Sequence, residues 1–330
     1  LELGGKLFDD HHASRVLPGF QPDSKLRMFQ KISDSIEIVI VISAADIEKN
    51  KKRADLGITY DEDVLRLRGE FQNRGFMVGS VVITHYNGQP AATAFKQRLE
   101  RDGIKTYCHY LIEGYPHDVN LIASDDGFGK NDYVETERPL VIVTAPGPGS
   151  GKMAVCLSQL YNENKRGVRA GYAKFETFPV WNLPLKHPVN IAYEAATADL
   201  NDVNMIDPFH LEAYNKIAIN YNRDVEIYPV LNALFEGIYG SNPYKSPTDM
   251  GVNMVGFCIS DDEACCEASK NEIVRRYYAA TNKLALGACN EEEIAKIQML
   301  FNQAKISTDY RKVTVAAKNH KKETGHTLSL

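Results

Sequence analysis

The chain contains no Cys-x-x-Cys pair. Its six cysteines (Cys108, Cys156, Cys258, Cys265, Cys266 and Cys289) are scattered, and the neighbours Cys265 and Cys266 sit in a helical pattern, where adjacent side chains diverge. This argues against a zinc framework or a disulfide scaffold, and reduced cysteines in a cytoplasmic protein are expected. No apolar run approaches the roughly 20 residues that span a bilayer, so no membrane partner is expected. No secretory signal opens the chain and Leu1 is not a methionine, from which a missing natural N-terminus is expected. Positive charge is not in excess either. Lys and Arg number 38 against 43 Asp and Glu, for a net charge of −5 and a pI near 6.0, which argues against a nucleic-acid partner.

Two catalytic signatures are also missing. There is no Gly-x-Ser-x-Gly elbow for a sheet-type serine hydrolase, and no Gly-x-Gly-x-x-Gly follows the first strand. His210-Leu211-Glu212 offers half of a zinc-deaminase pattern, but the Pro-Cys-x-x-Cys half is absent.

What is present is a glycine-rich stretch, Pro146-Gly147-Pro148-Gly149-Ser150-Gly151-Lys152-Met153, after the apolar run Leu140–Val143. Strand, glycine loop and a lysine at a helix start together make a phosphate cradle. Glycines turn backbone N–H groups inward, the helix N-terminus adds partial positive charge, and the lysine meets the terminal phosphates. Gly147, Gly149, Ser150, Gly151 and Lys152 are therefore the candidate cofactor-binding residues, with ATP and Mg²⁺ as the implied cofactors. The pattern departs from the usual one at Pro146, where glycine is customary, and at Met153, where a hydroxyl normally holds Mg²⁺. A βα turn that merely packs a helix against a sheet is the alternative.

The remaining pattern predicts strands at 36–42, 78–83, 104–111, 140–144 and 168–174, alternating with helices at 61–74, 91–101 and 152–164. Such alternation predicts an α/β fold, a mostly parallel sheet flanked by helices. Helical patterns follow at 190–197, 208–222 and 225–239, and a largely helical C-terminal region at 260–286, 291–304 and 308–322. The organisation expected is an α/β domain over 1–175, a mixed connector over 176–258 and a helical region over 259–330. Residues 175–188 carry three prolines and the single tryptophan, Trp181, and predict a rigid extended connection.

Ligands of parallel sheets bind at the carboxyl ends of strands, which selects further candidates. His85 ends a strand and is placed to act as acid or base. Lys174 ends another and is a candidate catalytic residue. Asp46 and Asp207 are candidate Mg²⁺ ligands, Asp207 also catalytic, although Asp207 before Pro208 equally reads as a helix N-cap. Lys245, Ser246, Thr248 and Asp249 on a turn-rich loop are candidate substrate contacts. Six ionisable residues, Lys6, Asp9, Asp10, His11, His12 and Arg15, crowd the start of the chain as a polar site, an interface or a surface loop.

Several stretches together resemble a known family. Gly4–Asp10, His12–Phe20, Ala145–Lys152, Tyr172–Pro179, Asn204–Glu212 and Tyr244–Gly251 are similar to the bacterial domain-of-unknown-function 1846 family. The resemblance implies a cytoplasmic, homo-oligomeric, multi-domain α/β protein, longer at both ends than this chain, and supplies no catalytic residues. Function thus rests on the residues: a nucleotide- or phosphate-binding enzyme of small-molecule kinase or ligase type. The alternatives are a metal-independent enzyme for a phosphorylated metabolite, or a non-catalytic assembly protein.

Overall fold

Buried β-branched runs make up the inner strands of a parallel sheet. A computed structural model describes residues 1–53, 56–285, 287 and 289–306. In chain order the first elements are β1 (Glu2–Leu3), α1 (His11–Val16), α2 (Ser24–Gln30), β2 (Ile36–Ser43), α3 (Ala44–Glu48) and α4 (Tyr60–Asn73). There follow β3 (Met77–Tyr86), α5 (Pro90–Arg101), β4 (Thr106–Tyr110), α6 (Val119–Ile122), β5 (Leu140–Thr144), α7 (Lys152–Lys165) and β6 (Lys174–Phe175). The remainder are α8 (Pro188–Ala196), β7 (Asn204–Ile206), α9 (Pro208–Tyr214), β8 (Ile219–Tyr221), α10 (Asn222–Tyr239), β9 (Gly251–Val252), α11 (Asp262–Ala285) and α12 (Glu291–Gln303).

The chain divides into two units, each discontinuous in sequence. The first holds residues 1–10, 22–176 and 227–252; the second holds 11–21, 177–226 and the remainder from 253. The first unit is built on a seven-stranded sheet of order β4-β3-β2-β5-β1-β6-β9, every pairing parallel. All eight residues of β2 are buried, as a strand covered on both faces requires. Helices α2, α4 and α5 contribute Leu26, Phe29, Val64, Leu67, Phe71, Phe95 and Leu99 to its core. Thr59 caps α4 in a reciprocal capping box with Glu62, and Pro90 opens α5, both ordinary helix starts.

The strand order decides where a ligand can dock. From β2 the chain steps outward to β3 and β4, then returns to place β5 on the other side of β2. That reversal opens a crevice beyond the carboxyl ends of β2 and β5. One buried carboxylate fixes β5. Glu37 on β2, 1% exposed, accepts the backbone N–H groups of Glu137 (2.6 Å) and Arg138 (3.3 Å). Gly79 makes room for it: the β2–β3 register shifts there, and a Cβ would lie 1.9 Å from Glu37 Oε1. A bulged glycine is the way a strand lets another group come so close.

The second unit packs α8, α11 and α12 around Ile191, Ile273, Ile297 and Leu300, beside the antiparallel pair β7–β8. The proline-rich stretch expected to be extended instead bends and turns, with Leu183 N–H on Val180 O (3.4 Å) and His187 N–H on Pro184 O (2.9 Å). Buried Asn190 holds it by accepting from Val180 N–H (2.7 Å) and donating to Val180 O (3.1 Å). Sequence and structure differ in three further places. Residues 208–222 are not one helix: Asn215 turns left-handed at φ +52°, and Ile219–Tyr221 pairs with β7. Of the strand expected at 168–174, only Lys174–Phe175 pairs, while Glu2–Leu3 inserts between β5 and β6. The helix expected at 308–322 lies outside the described residues.

Candidate functional site

The loop between β5 and α7 takes its shape from two left-handed glycines, Gly149 at φ +75° and Gly151 at φ +88°, a region that side chains with a Cβ rarely enter. Its neighbours hold it closely. Thr84, at the end of β3, donates to Ser150 O at 2.7 Å, with Ile42 O at 3.4 Å. A Cβ on Gly147 would come 2.3 Å from the hydroxyl of Tyr60. Ser150 is 1% exposed, and its own hydroxyl finds no hydrogen-bond partner among the described residues. A buried hydroxyl left unpaired is costly.

Lys152 begins α7. Its ammonium makes no hydrogen bond or ion pair among the described residues. Burial lowers its pKa, the Glu2 carboxylate opposes this, and the charge of Lys174 adds to the lowering. Glu2 is itself 6% exposed and accepts from the Tyr172 hydroxyl at 2.7 Å. Lys174 pairs with Glu176 at 2.9 Å. Two lysines and two carboxylates therefore share the region beside the loop, and only Lys152 lacks a close partner. An ammonium withdrawn from water without a close counter-charge is costly to keep ionised.

Other groups stand at the neighbouring strand ends. His85 follows Thr84 in a left-handed conformation, φ +52°, with Nδ1 3.4 Å from Ser43 Oγ at the end of β2. A left-handed histidine inside a strand is uncommon, and His85 stands near the carboxyl end of β3 where its register with β4 shifts. Asp46 lies in the first turn of α3, which follows β2 directly, and pairs with Lys51 at 3.1 Å; Lys51 sits over the Tyr60 ring. A cavity of about 530 Å³ runs along α7, lined by Val143, Cys156, Gln159 and Tyr172.

A family model described as domain of unknown function DUF1846, N-terminal, matches residues 1–305. The chain belongs to the DUF1846 family. UPF0371 proteins of Streptococcus thermophilus and Streptococcus pyogenes are each 58% identical to it over 325 residues. A UPF0371 protein of Streptococcus pneumoniae is 57% identical over the same length. In each case the match covers 98% of this chain and 66% of the relative, so the chain spans slightly less than two-thirds of the length of these relatives. Among the described residues no helix is long and apolar enough to cross a membrane.

In this DUF1846 chain the other expected site residues fall as follows. Lys245, Ser246, Thr248 and Asp249 form a loop that bonds within itself: Lys245 N–H donates to Asp249 Oδ2 (3.0 Å), and Asp249 N–H to Ser246 Oγ (2.9 Å). The loop leads into β9, and Met250 O accepts from Lys174 N–H at 3.0 Å, so it stands at the sheet edge beside Lys174. Asp207 belongs to the second unit. It is fully buried and accepts from His210 N–H at 3.0 Å as the N-cap of α9. Tyr60, Thr84, Ser43 and Glu2 were not singled out from the sequence; only Thr84, one residue before His85 at a strand end, carried a positional signal.

One grouping of metal-ligating side chains occurs among the described residues, His187, Asp262 and Cys266 in the second unit. His187 Nε2 lies 3.0 Å from Asp262 Oδ1 and 3.5 Å from Cys266 Sγ. The other ring nitrogen, Nδ1, accepts from Val189 N–H at 3.3 Å. A neutral imidazole that accepts at Nδ1 carries its proton on Nε2, where it donates to Asp262. A metal at Nε2 would require an imidazolate, and metal-bound histidines ordinarily donate from the second nitrogen. The grouping reads as a capping contact between α8 and α11.

Proposed function

We propose that the first unit binds the phosphate group of a small molecule at residues 146–153 and that the chain is an enzyme acting on such a substrate. The observation that carries this is Lys152, a half-buried ammonium without a close counter-charge, at the start of a helix behind a glycine loop. The backbone N–H groups of Gly149, Ser150, Gly151 and Lys152 supply the cradle, and Ser150 Oγ adds a donor. Lys174 and the 244–251 loop at the sheet edge contact the rest of the substrate. His85 is the acid or base, since its exposed side chain stands near the carboxyl end of β3.

A nucleotide with Mg²⁺ is the second reading, of kinase or ligase type. What favours it is Asp46, just beyond the end of the strand next to β5, where nucleotide-hydrolysing sheets carry a metal-binding aspartate. Against it, Met153 has no hydroxyl for the metal, and Asp46 is already paired with Lys51.

Thermal unfolding separates the two. A ligand that binds only the folded state stabilises it by about 2.7 kcal/mol at a hundredfold excess over Kd. Stabilisation by inorganic phosphate, independent of Mg²⁺ and unchanged in Asp46→Asn, is the expected result. An ATP shift that requires Mg²⁺ and disappears in Asp46→Asn would establish the nucleotide reading. No shift with any phosphate would remove both.

A further inference from the structure

The crowded polar segment near the start of the chain has a place outside the proposed loop site. Residues 11–21 belong to the second unit, and α1 presents His12 and Arg15 to Glu272 of α11. Glu272 is 2% exposed and fully engaged. Its Oε1 accepts from Arg275 Nη2 (2.7 Å) and Arg276 Nε (2.8 Å), with His12 Nδ1 at 3.4 Å. Its Oε2 accepts from Arg15 Nε (2.8 Å) and Arg275 Nε (2.6 Å). One carboxylate thus serves three guanidiniums, and the local formal charge is +2 with His12 neutral.

Among the described residues Glu272 is the carboxylate that pairs with Arg15 and with Arg276. Burial lowers the pKa of Arg276; Glu272 opposes the change, and Arg275 and Arg15 add to the lowering. Arg15 and Arg276 each reach Glu272 through Nε alone. Their Nη groups have no protein acceptor among the described residues, and the two side chains are 37% and 28% exposed. A guanidinium whose Nε is already fixed presents its remaining N–H groups in a rigid fork that matches an oxyanion. Phe178 packs against the His12 ring at 4.9 Å, so the surroundings are partly apolar and a charged hydrogen bond there is less screened than in water.

We propose that the second unit binds an oxyanion, the phosphate or carboxylate group of a small molecule, on the Nη groups of Arg15 and Arg276, with Glu272 holding both guanidiniums in position. Arg15 and Arg276 are the binding residues. Glu272 is a positioning residue, and its charge keeps the paired arginines from repelling one another.

The test uses the Lys152→Met chain, in which phosphate binding at the glycine loop is weakened, so that failure here is distinct from failure of the loop reading. Isothermal titration with inorganic phosphate and, separately, with malonate is expected to show binding of at least one, and which one binds gives the ligand class. Adding Arg15→Gln is expected to weaken that binding about tenfold or more, with Arg15→Lys intermediate because it keeps charge but loses the fork. The Arg15→Lys arm also covers the case in which the glutamine variant fails to fold. Absence of binding by both anions, or binding unaffected by substitution of Arg15, would overturn the proposal.

Discussion

Glu272→Ala is expected to destabilise the second unit by about 2–4 kcal/mol. Removing one partner of a buried ion pair commonly costs roughly 3–5 kcal/mol, and the lower range applies because the three arginines are 21–37% exposed and partly rehydrate. At that size the midpoint of thermal unfolding falls by about 5–15 °C. Glu272→Gln keeps an acceptor but not the charge, and its loss is expected to be smaller. The acid side follows from the same contacts. Burial alone would raise the carboxyl pKa, but hydrogen bonds from Arg275 and His12 and the charge of Arg276 outweigh it and hold the group well below the usual carboxylate range. A depressed folded-state pKa contributes stability above the unfolded value, roughly 4.3 for glutamate, and that contribution is lost as pH falls below it. Urea unfolding at pH 7 and at about pH 3 checks both statements. A variant as stable as the wild type at pH 7 would contradict this account of α11.

Lys152→Met is expected to move stability and binding in opposite directions. The lysine is desolvated, faces Lys174 and lacks a close carboxylate, so an apolar chain of similar length removes a cost. The free protein is expected to gain about 1 kcal/mol near neutral pH. The sign agrees with linkage. A lysine whose folded pKa is lowered disfavours the folded state while it is charged, and the penalty fades as pH rises through that folded value. Phosphate affinity is expected to fall roughly 10- to 100-fold, since a charge-assisted hydrogen bond contributes about 1.5–3 kcal/mol. Calorimetry on the free variant and a phosphate titration measure the two effects. A loss of stability with unchanged affinity would make Lys152 a structural residue.

Much of this architecture is legible in the residues, because its signals are local. Ile36–Ser43, Met77–Tyr86 and Leu140–Thr144 are β-branched runs of strand length. Asp207-Pro208 does cap a helix, as its spacing suggested. What escaped is non-local or too short to carry a period. Glu2–Leu3 is a two-residue strand, recognisable only from its neighbours β5 and β6. Residues 208–222 carry helical spacing, yet the left-handed Asn215 and the pairing of Ile219–Tyr221 with β7 override it. The glycine loop was plain from composition and order. Its supports were not, since Tyr60, Thr84 and Glu2 come from three other elements. Likewise Arg15 and Glu272 stand 257 positions apart in sequence, so a polar segment at one end gave no hint of the carboxylate it meets.

The central claim is that the loop ahead of α7 receives a phosphate. The most direct measurement is an amide ¹H–¹⁵N correlation spectrum of the deuterated, ¹⁵N-labelled chain during titration with inorganic phosphate. The account predicts that the amides of Gly149, Ser150, Gly151 and Lys152 shift together and saturate, since backbone N–H groups at a helix start are the donors that meet the anion. Unmoved loop amides at phosphate concentrations that shift signals elsewhere would contradict it and leave the loop a packing turn.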